Sequence, residues 1–278
     1  MLRLRFLSAV IGVPILLLIA VVGGAWYNAA VAVGAILGSL EMLSMLAGAG
    51  FHPLRLLGAA LAVAIALAAA VTDARIMPAI LVVAMLAGLF WMMARADTEG
   101  ALVDWALTLG SAVYVGGTMH YFIALRMLPD GLIWILMVLI CTWTCDIAAF
   151  FVGRRWGRAR LAPRLSPGKS VEGAIGGLVG AVLVAILLGI VLVPFLVGLL
   201  LGAGLSLNGS FGVLRMAGLG LVIGVCAIAG DLVESFIKRQ CGAKDSGALI
   251  PGHGGVLDRI DSVLLAMVGA YFYVVTTS

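Results

Sequence analysis

The chain has 278 residues, of which 64% are hydrophobic and only 11% charged, with a formal net charge of +4. Ordinary soluble domains run at about 45–50% apolar, so this composition excludes a water-soluble globular protein and implies an integral membrane protein. No nucleic-acid partner is expected of such a chain.

The N-terminus carries Arg3 and Arg5 ahead of an apolar run from Phe6 to Gly23, longer than the 7–15 residue apolar core of a signal peptide, and reads as a first spanning helix. A bilayer crossing needs about 20 residues. The chain then predicts an all-α membrane protein of about nine spans, near 6–23, 26–47, 54–71, 76–95, 102–121, 131–152, 171–193, 212–236 and 257–275. With a cytoplasmic N-terminus, fourteen Lys and Arg side chains fall on the inside and only Arg75, Arg126 and Arg215 outside, as the positive-inside rule requires. Residues 1–125 read as an N-terminal scaffold in which Glu41 and Asp104 stand out as functional candidates, with a structural role equally suited to Glu41. Residues 126–278 read as the part that carries chemistry, and the apolar stretch Phe195 to Asn208 as an extension, a re-entrant segment or a turn. The four cysteines have no metal-ligand spacing and behave as small apolar residues.

Polar texture begins after Trp143. Asp146 lies near the end of one span, and a basic loop from Arg154 to Arg164 follows. Next comes Ser166-Pro-Gly-Lys169-Ser170-Val-Glu172-Gly173, which lacks the spacing and the preceding strand of a phosphate-binding P-loop. Asp231, Glu234, Ser235 and Lys238 are spaced to share one stripe of a helix, and Asp258 and Asp261 share a face at the start of the last one. Carboxylates from two helices at one depth suit a hard cation such as Mg²⁺, which uses one or two carboxylates together with substrate phosphates. Lys238, Arg239 and Arg259 beside them match phosphate. That combination is the equipment of phosphoryl or nucleotidyl transfer. Arg154 and Arg155 serve equally well as anchors to headgroups.

Ser235-x-x-Lys238-Arg239, Lys244-Asp245 and Pro251-x-His253-Gly254-Gly255-x-x-Asp258-Arg259-x-Asp261 together resemble the signature of the phosphatidate cytidylyltransferases, the CDP-diacylglycerol synthases. Asp146, Gly153-Arg154, the Ser166 to Gly173 segment, Gly230-Asp231 and Glu234 are similar to that family's secondary motifs, so the resemblance covers about residues 140 to 275. It implies CTP and phosphatidate as substrates, CDP-diacylglycerol and pyrophosphate as products, and a homodimer in a bacterial inner membrane with the active site on the cytoplasmic side. With the carboxylate cluster it points to Asp231 and Asp258 as ligands of Mg²⁺, alone or with a second cation, and to Asp261 as completing the metal site or orienting the attacking phosphatidate oxygen. Lys238, Arg239, Arg259 and Ser235 would act on the reacting phosphates. Asp146, Lys169, Ser170, Glu172, Lys244, His253, Gly254 and Gly255 would bind substrate.

Two rival classes use similar residues. CDP-alcohol phosphotransferases and prenyltransferases need D-G-x-x-A-R or N-D-x-x-D runs, which the sequence lacks. An ion or phosphate transporter would line a pathway with the same charges, whereas here they gather at one face. The topology is open to test: a single cysteine placed at position 165 or 246 of a cysteine-free chain should stay unlabelled by impermeant reagents outside intact cells. Labelling there would overturn the orientation.

Overall fold

A computed structural model describes residues 12, 14–94, 99–192, 211–249 and 254–277. The helices are α1 (Gly24–Gly48), α2 (Arg55–Leu67), α3 (Ile76–Met93), α4 (Ala101–Met127), α5 (Gly131–Trp156), α6 (Val171–Leu187), α7 (Val213–Gln240) and α8 (Leu257–Thr277). Residues 14–22 are also helical, while the start of the first expected span, at 6–11, and the stretch Phe195 to Asn208 lie outside the described residues. Among the described residues six helices are long and apolar enough to cross a membrane: α1, α3, α5, α7, α8 and the segment Val171–Val191. The segment Arg55–Ala70 is apolar but shorter. α4 has the length, but Asp104, Thr108, Ser111, Thr118, His120 and Arg126 dilute its hydropathy.

The fold is helical as expected, with one short strand pair among the described residues. β1 (Arg160–Ala162) and β2 (Ser166–Ser170) form an antiparallel hairpin with Arg160 opposite Ser170 and Ala162 opposite Ser166. Three paired residues with Pro and Gly in the second strand leave no alternation for a sequence pattern to register.

The chain divides into two compact units, Met1–Ala124 with Ile237–Ile260, and Leu125–Phe236 with Asp261–Ser278. In the first, α2, α3 and α4 enclose a core of Leu61, Ala62, Ile65, Ala84 and Ala112, with Met77, Ile80 and Leu109 against it. The link between α1 and α2 is stapled to α4, because Asp104 accepts the His52 amide at 2.7 Å and the Thr108 hydroxyl accepts the Leu54 amide at 2.9 Å. Asp104 is therefore structural. Tyr27 on α1 donates to the Phe122 carbonyl at 3.2 Å.

In the second unit α5 and α6 form the closest helix pair. Gly173, Gly176, Gly177 and Gly180 of α6 leave space that Ala149, Val152, Cys145 and Ala148 of α5 fill, as small residues do where membrane helices approach. At the far end Trp134 donates to the Pro129 carbonyl at 3.0 Å and lies under the Arg215 guanidinium. Many large apolar side chains face outward, including Trp26, Leu56, Val83, Phe90, Trp91, Phe151 and Leu183, which is a lipid-facing surface.

Backbone contact at Gly116 gives a test of the first unit. A Cβ there would come within 2.5 Å of the Ala62 oxygen and 2.7 Å of its Cα, whereas at Gly110 it would meet nothing within 4 Å. Gly116→Ala should therefore cost about 1–3 kcal/mol and lower Tm in detergent, while Gly110→Ala should be neutral or stabilise by up to about 1 kcal/mol. Equal melting of the two variants would contradict this packing.

Candidate active site

The expected residues fall into two groups, one in each unit. In the second unit a cavity of about 640 Å³ is bounded by α5, the hairpin, the start of α6 and one turn of α7. Asp146, Arg154, Arg160, Lys169, Ser170 and Asp231 are its polar lining. That volume suits a small-molecule ligand, and the lining is unusually ionic for such a cavity. Lys169 forms an ion pair with Asp231, whose other oxygen accepts a long bond of 3.4 Å from Ser235. Lys169, Asp231 and Asp261 are the charged neighbours of Asp146. Asp261 accepts the Ser262 amide at 2.6 Å.

Local capping builds the cavity wall. Ser170 ends β2 in extended backbone and caps α6, its oxygen accepting the Gly173 amide at 3.1 Å. Glu172, in the first turn, accepts the Arg158 amide at 3.0 Å and the Ala159 amide at 3.1 Å, which ties the exit of α5 to the entrance of α6. Glu172 is thus engaged with backbone, while Ser170 both caps a helix and lines the cavity. A capping serine followed by an acid in the first turn is a helix-start signal legible in the sequence.

The first unit holds the other group, centred on Asp258. Its Oδ1 accepts the Lys238 ammonium at 2.7 Å, and its Oδ2 accepts the Ser246 amide at 2.8 Å, the Ser246 hydroxyl at 2.9 Å and the Gly255 amide at 2.8 Å. Lys238 and Asp258 are nearly buried, at 12% and 6% side-chain exposure, so each is the other's charge balance. The glycines follow from this carboxylate. Gly254 has φ 85°, and a Cβ on it would sit 2.6 Å from Asp258 Oδ2. Glu41 of α1 completes the group, with Oε1 accepting the Val256 amide at 2.9 Å and Oε2 accepting the Leu257 amide at 2.8 Å and the Ser246 hydroxyl at 3.2 Å.

The remaining expected residues are placed more loosely. Arg239 donates to the Ala243 carbonyl at 3.0 Å, closing the end of α7 where Gly242 turns with φ 65°. Lys244, Asp245 and Arg259 are exposed, Glu234 is fully buried, and His253 lies outside the described residues. The helical stripe of Asp231, Ser235 and Lys238 divides, with Ser235 on Asp231 and Lys238 on Asp258. Arg160 and Ser246 were missed because neither carries a motif signal of its own.

Among the described residues no three His, Cys, Asp or Glu side chains gather as a metal cage. Asp258 and Asp231 each have both oxygens bonded to protein donors, and a carboxylate oxygen that accepts one bond, such as Asp258 Oδ1 with Lys238 or Asp231 Oδ2 with Lys169, keeps a further lone pair. Asp231, Asp258 and Asp261 are oxygen donors of the kind that suits Mg²⁺, which needs only one or two carboxylates.

The carboxylate of Asp258 gives a direct test. Asp258→Ala removes the acceptor of the Ser246 and Gly255 amides altogether, a loss of about 1–3 kcal/mol for each group left unsatisfied. Hydrogen exchange at those two amides should accelerate by on the order of 10-fold or more. Unchanged exchange would show that the carboxylate does not hold the loop.

Residues 3–277 match the family described as the cytidylyltransferase family. A phosphatidate cytidylyltransferase of Synechocystis sp. is 30% identical over 298 residues, covering 98% of this chain and 96% of that protein. One of Pseudomonas aeruginosa is 49% identical over 140 residues, covering 50% of this chain and 46% of that protein. One of Haemophilus influenzae is 44% identical over 148 residues, covering 51% and 46%. These last two matches span about half of each protein.

Proposed function

Because the chain belongs to the cytidylyltransferase family, we propose that it joins CTP to phosphatidate, forming CDP-diacylglycerol and releasing pyrophosphate. The observation that carries this reading is the ionic cavity in which Lys169 meets Asp231, with Arg154 and Arg160 on its rim. A transporter reading has no comparable support, since the relatives named above are cytidylyltransferases.

In the reaction a non-bridging oxygen of the phosphatidate phosphate attacks the α-phosphorus of CTP, and the bond from that phosphorus to the β-phosphate oxygen breaks. No proton must be removed from the nucleophile, so the protein's task is to align two anions and offset their repulsion. Lys169, Arg154 and Arg160 offer positive charge to phosphates in the cavity, and Arg can do so through two parallel bonds. Lys238, Arg239 and Arg259 are assigned to the same neutralisation, with Ser235 orienting Asp231. Asp146, Ser170, Glu172, Lys244, His253, Gly254 and Gly255 remain the proposed substrate-binding residues. Asp231, Asp258 and Asp261 are the carboxylates that would hold Mg²⁺, which would supply charge neutralisation on the departing pyrophosphate. Nine spans with a cytoplasmic N-terminus, an inner-membrane location with the active site facing the cytoplasm, and a homodimer belong to the same proposal.

Detergent-solubilised protein given labelled CTP and phosphatidate should form labelled lipid and pyrophosphate, and do so only with a divalent cation. Asp231→Asn and Asp261→Asn should each lower turnover by on the order of 10²-fold, equivalent to about 3 kcal/mol of transition-state stabilisation. Absence of labelled lipid from the wild-type chain would overturn the function, and near-wild-type turnover of both variants would remove these carboxylates from it.

A further inference from the structure

Glu41 is the one charged residue of α1, some 200 positions from the signature, and no motif includes it. We infer that Glu41 is a positioning residue for the reaction: its carboxylate holds Ser246 and the backbone at Val256 and Leu257, and so sets where Asp258 and its partner Lys238 stand. The inference rests on the proposed function, in which Lys238 neutralises substrate phosphate.

Three contacts carry it. Glu41 takes the Val256 and Leu257 amides, one on each oxygen, at the start of α8, where a helix leaves its first N–H groups without intrahelical acceptors and favours negative charge. It also takes the hydroxyl of Ser246, a residue only 4% exposed that itself bonds Asp258. Ser246 therefore stands between Glu41 and Asp258, which in turn holds Lys238, and its one hydroxyl hydrogen serves either acid. The loop backbone closes tightly on the carboxylate: a Cβ on Gly247 would come within 2.8 Å of Glu41 Oε1, and one on Gly255 would strike Oε2 and the Ser246 hydroxyl. A side chain that merely filled space would need neither this fit nor two charge-assisted bonds to one helix start.

The geometry predicts a split in kinetics. In Glu41→Gln the amide nitrogen must face one of two backbone N–H groups, so the loop loosens while the cavity of the other unit keeps its residues. For CDP-diacylglycerol formation kcat should fall by about 10-fold to 10²-fold, as a small misplacement does, with KM for CTP within about 3-fold of wild type. Glu41→Asp, which keeps the charge but is one methylene shorter, should recover part of the lost kcat. Amides of Ser246, Gly255, Val256 and Leu257 should exchange faster, while the His52 amide, held by Asp104 in the same unit, should not. If Glu41→Gln does not fold, Gly247→Ala crowds the same carboxylate and is read in the same way. Wild-type kcat per folded molecule in these variants would overturn the inference. Should the wild-type chain make no CDP-diacylglycerol, the proposed function fails alone, and exchange decides the rest: unaltered protection of the loop amides in Glu41→Gln would overturn the positioning role.

Discussion

A carboxylate at the head of an apolar helix must be satisfied by the protein, and Asp258 accepts four hydrogen bonds to achieve this. Each bond to a charged acceptor contributes about 1.5–3 kcal/mol, and leaving such a group unpaired costs more. Much of the local sequence follows from that one requirement. Lys238 balances the charge, Ser246 supplies two donors, and Gly255 brings an amide close. Gly254 leaves space where any side chain would strike Oδ2. The spacing between the glycines and Asp258 is a helix start built around its own acid.

The other unit solves a different problem, which is to hold cationic side chains around a cavity without filling it. Here the rigid parts are backbone. Glycines of α6 let α5 come close, Ser170 and Glu172 satisfy the exposed amides at the joint, and the hairpin carries Arg160 and Lys169 on short paired strands. Lys and Arg ordinarily retain much rotamer freedom, and an ion pair such as Lys169 with Asp231 reduces it.

Helix positions were legible because long apolar runs separated by charged or glycine-rich joints leave little ambiguity, and most described helices begin and end within a few residues of the expected limits. The count of spans was less legible: α2 is too short and α4 too polar to pass for a crossing by composition. The signature residues were legible as a cluster, but their grouping was not. Helical spacing puts Lys238 on the stripe of Asp231, yet its long side chain ends on Asp258. Glu41 could be marked as an unusual acid, but the bond that explains it joins residues 205 positions apart in sequence. No local pattern encodes such a partner. Glu172 shows the reverse case, where Ser170 followed by an acid in the first turn is a local helix-start signal that the structure realises.

Ser246 lies between two carboxylates, 2.9 Å from Asp258 and 3.2 Å from Glu41, and its oxygen also receives the Asp258 amide at 3.3 Å. A hydroxyl carries a single hydrogen. It can point at one acid or the other, and rotation of one O–H bond exchanges the two arrangements while every heavy atom stays in place. The carboxylate that loses the hydrogen retains its backbone donors, so the two arrangements differ by little more than one hydrogen bond. The serine is a rotary contact between the first helix of the unit and its signature, rigid in position and free in the direction of its dipole.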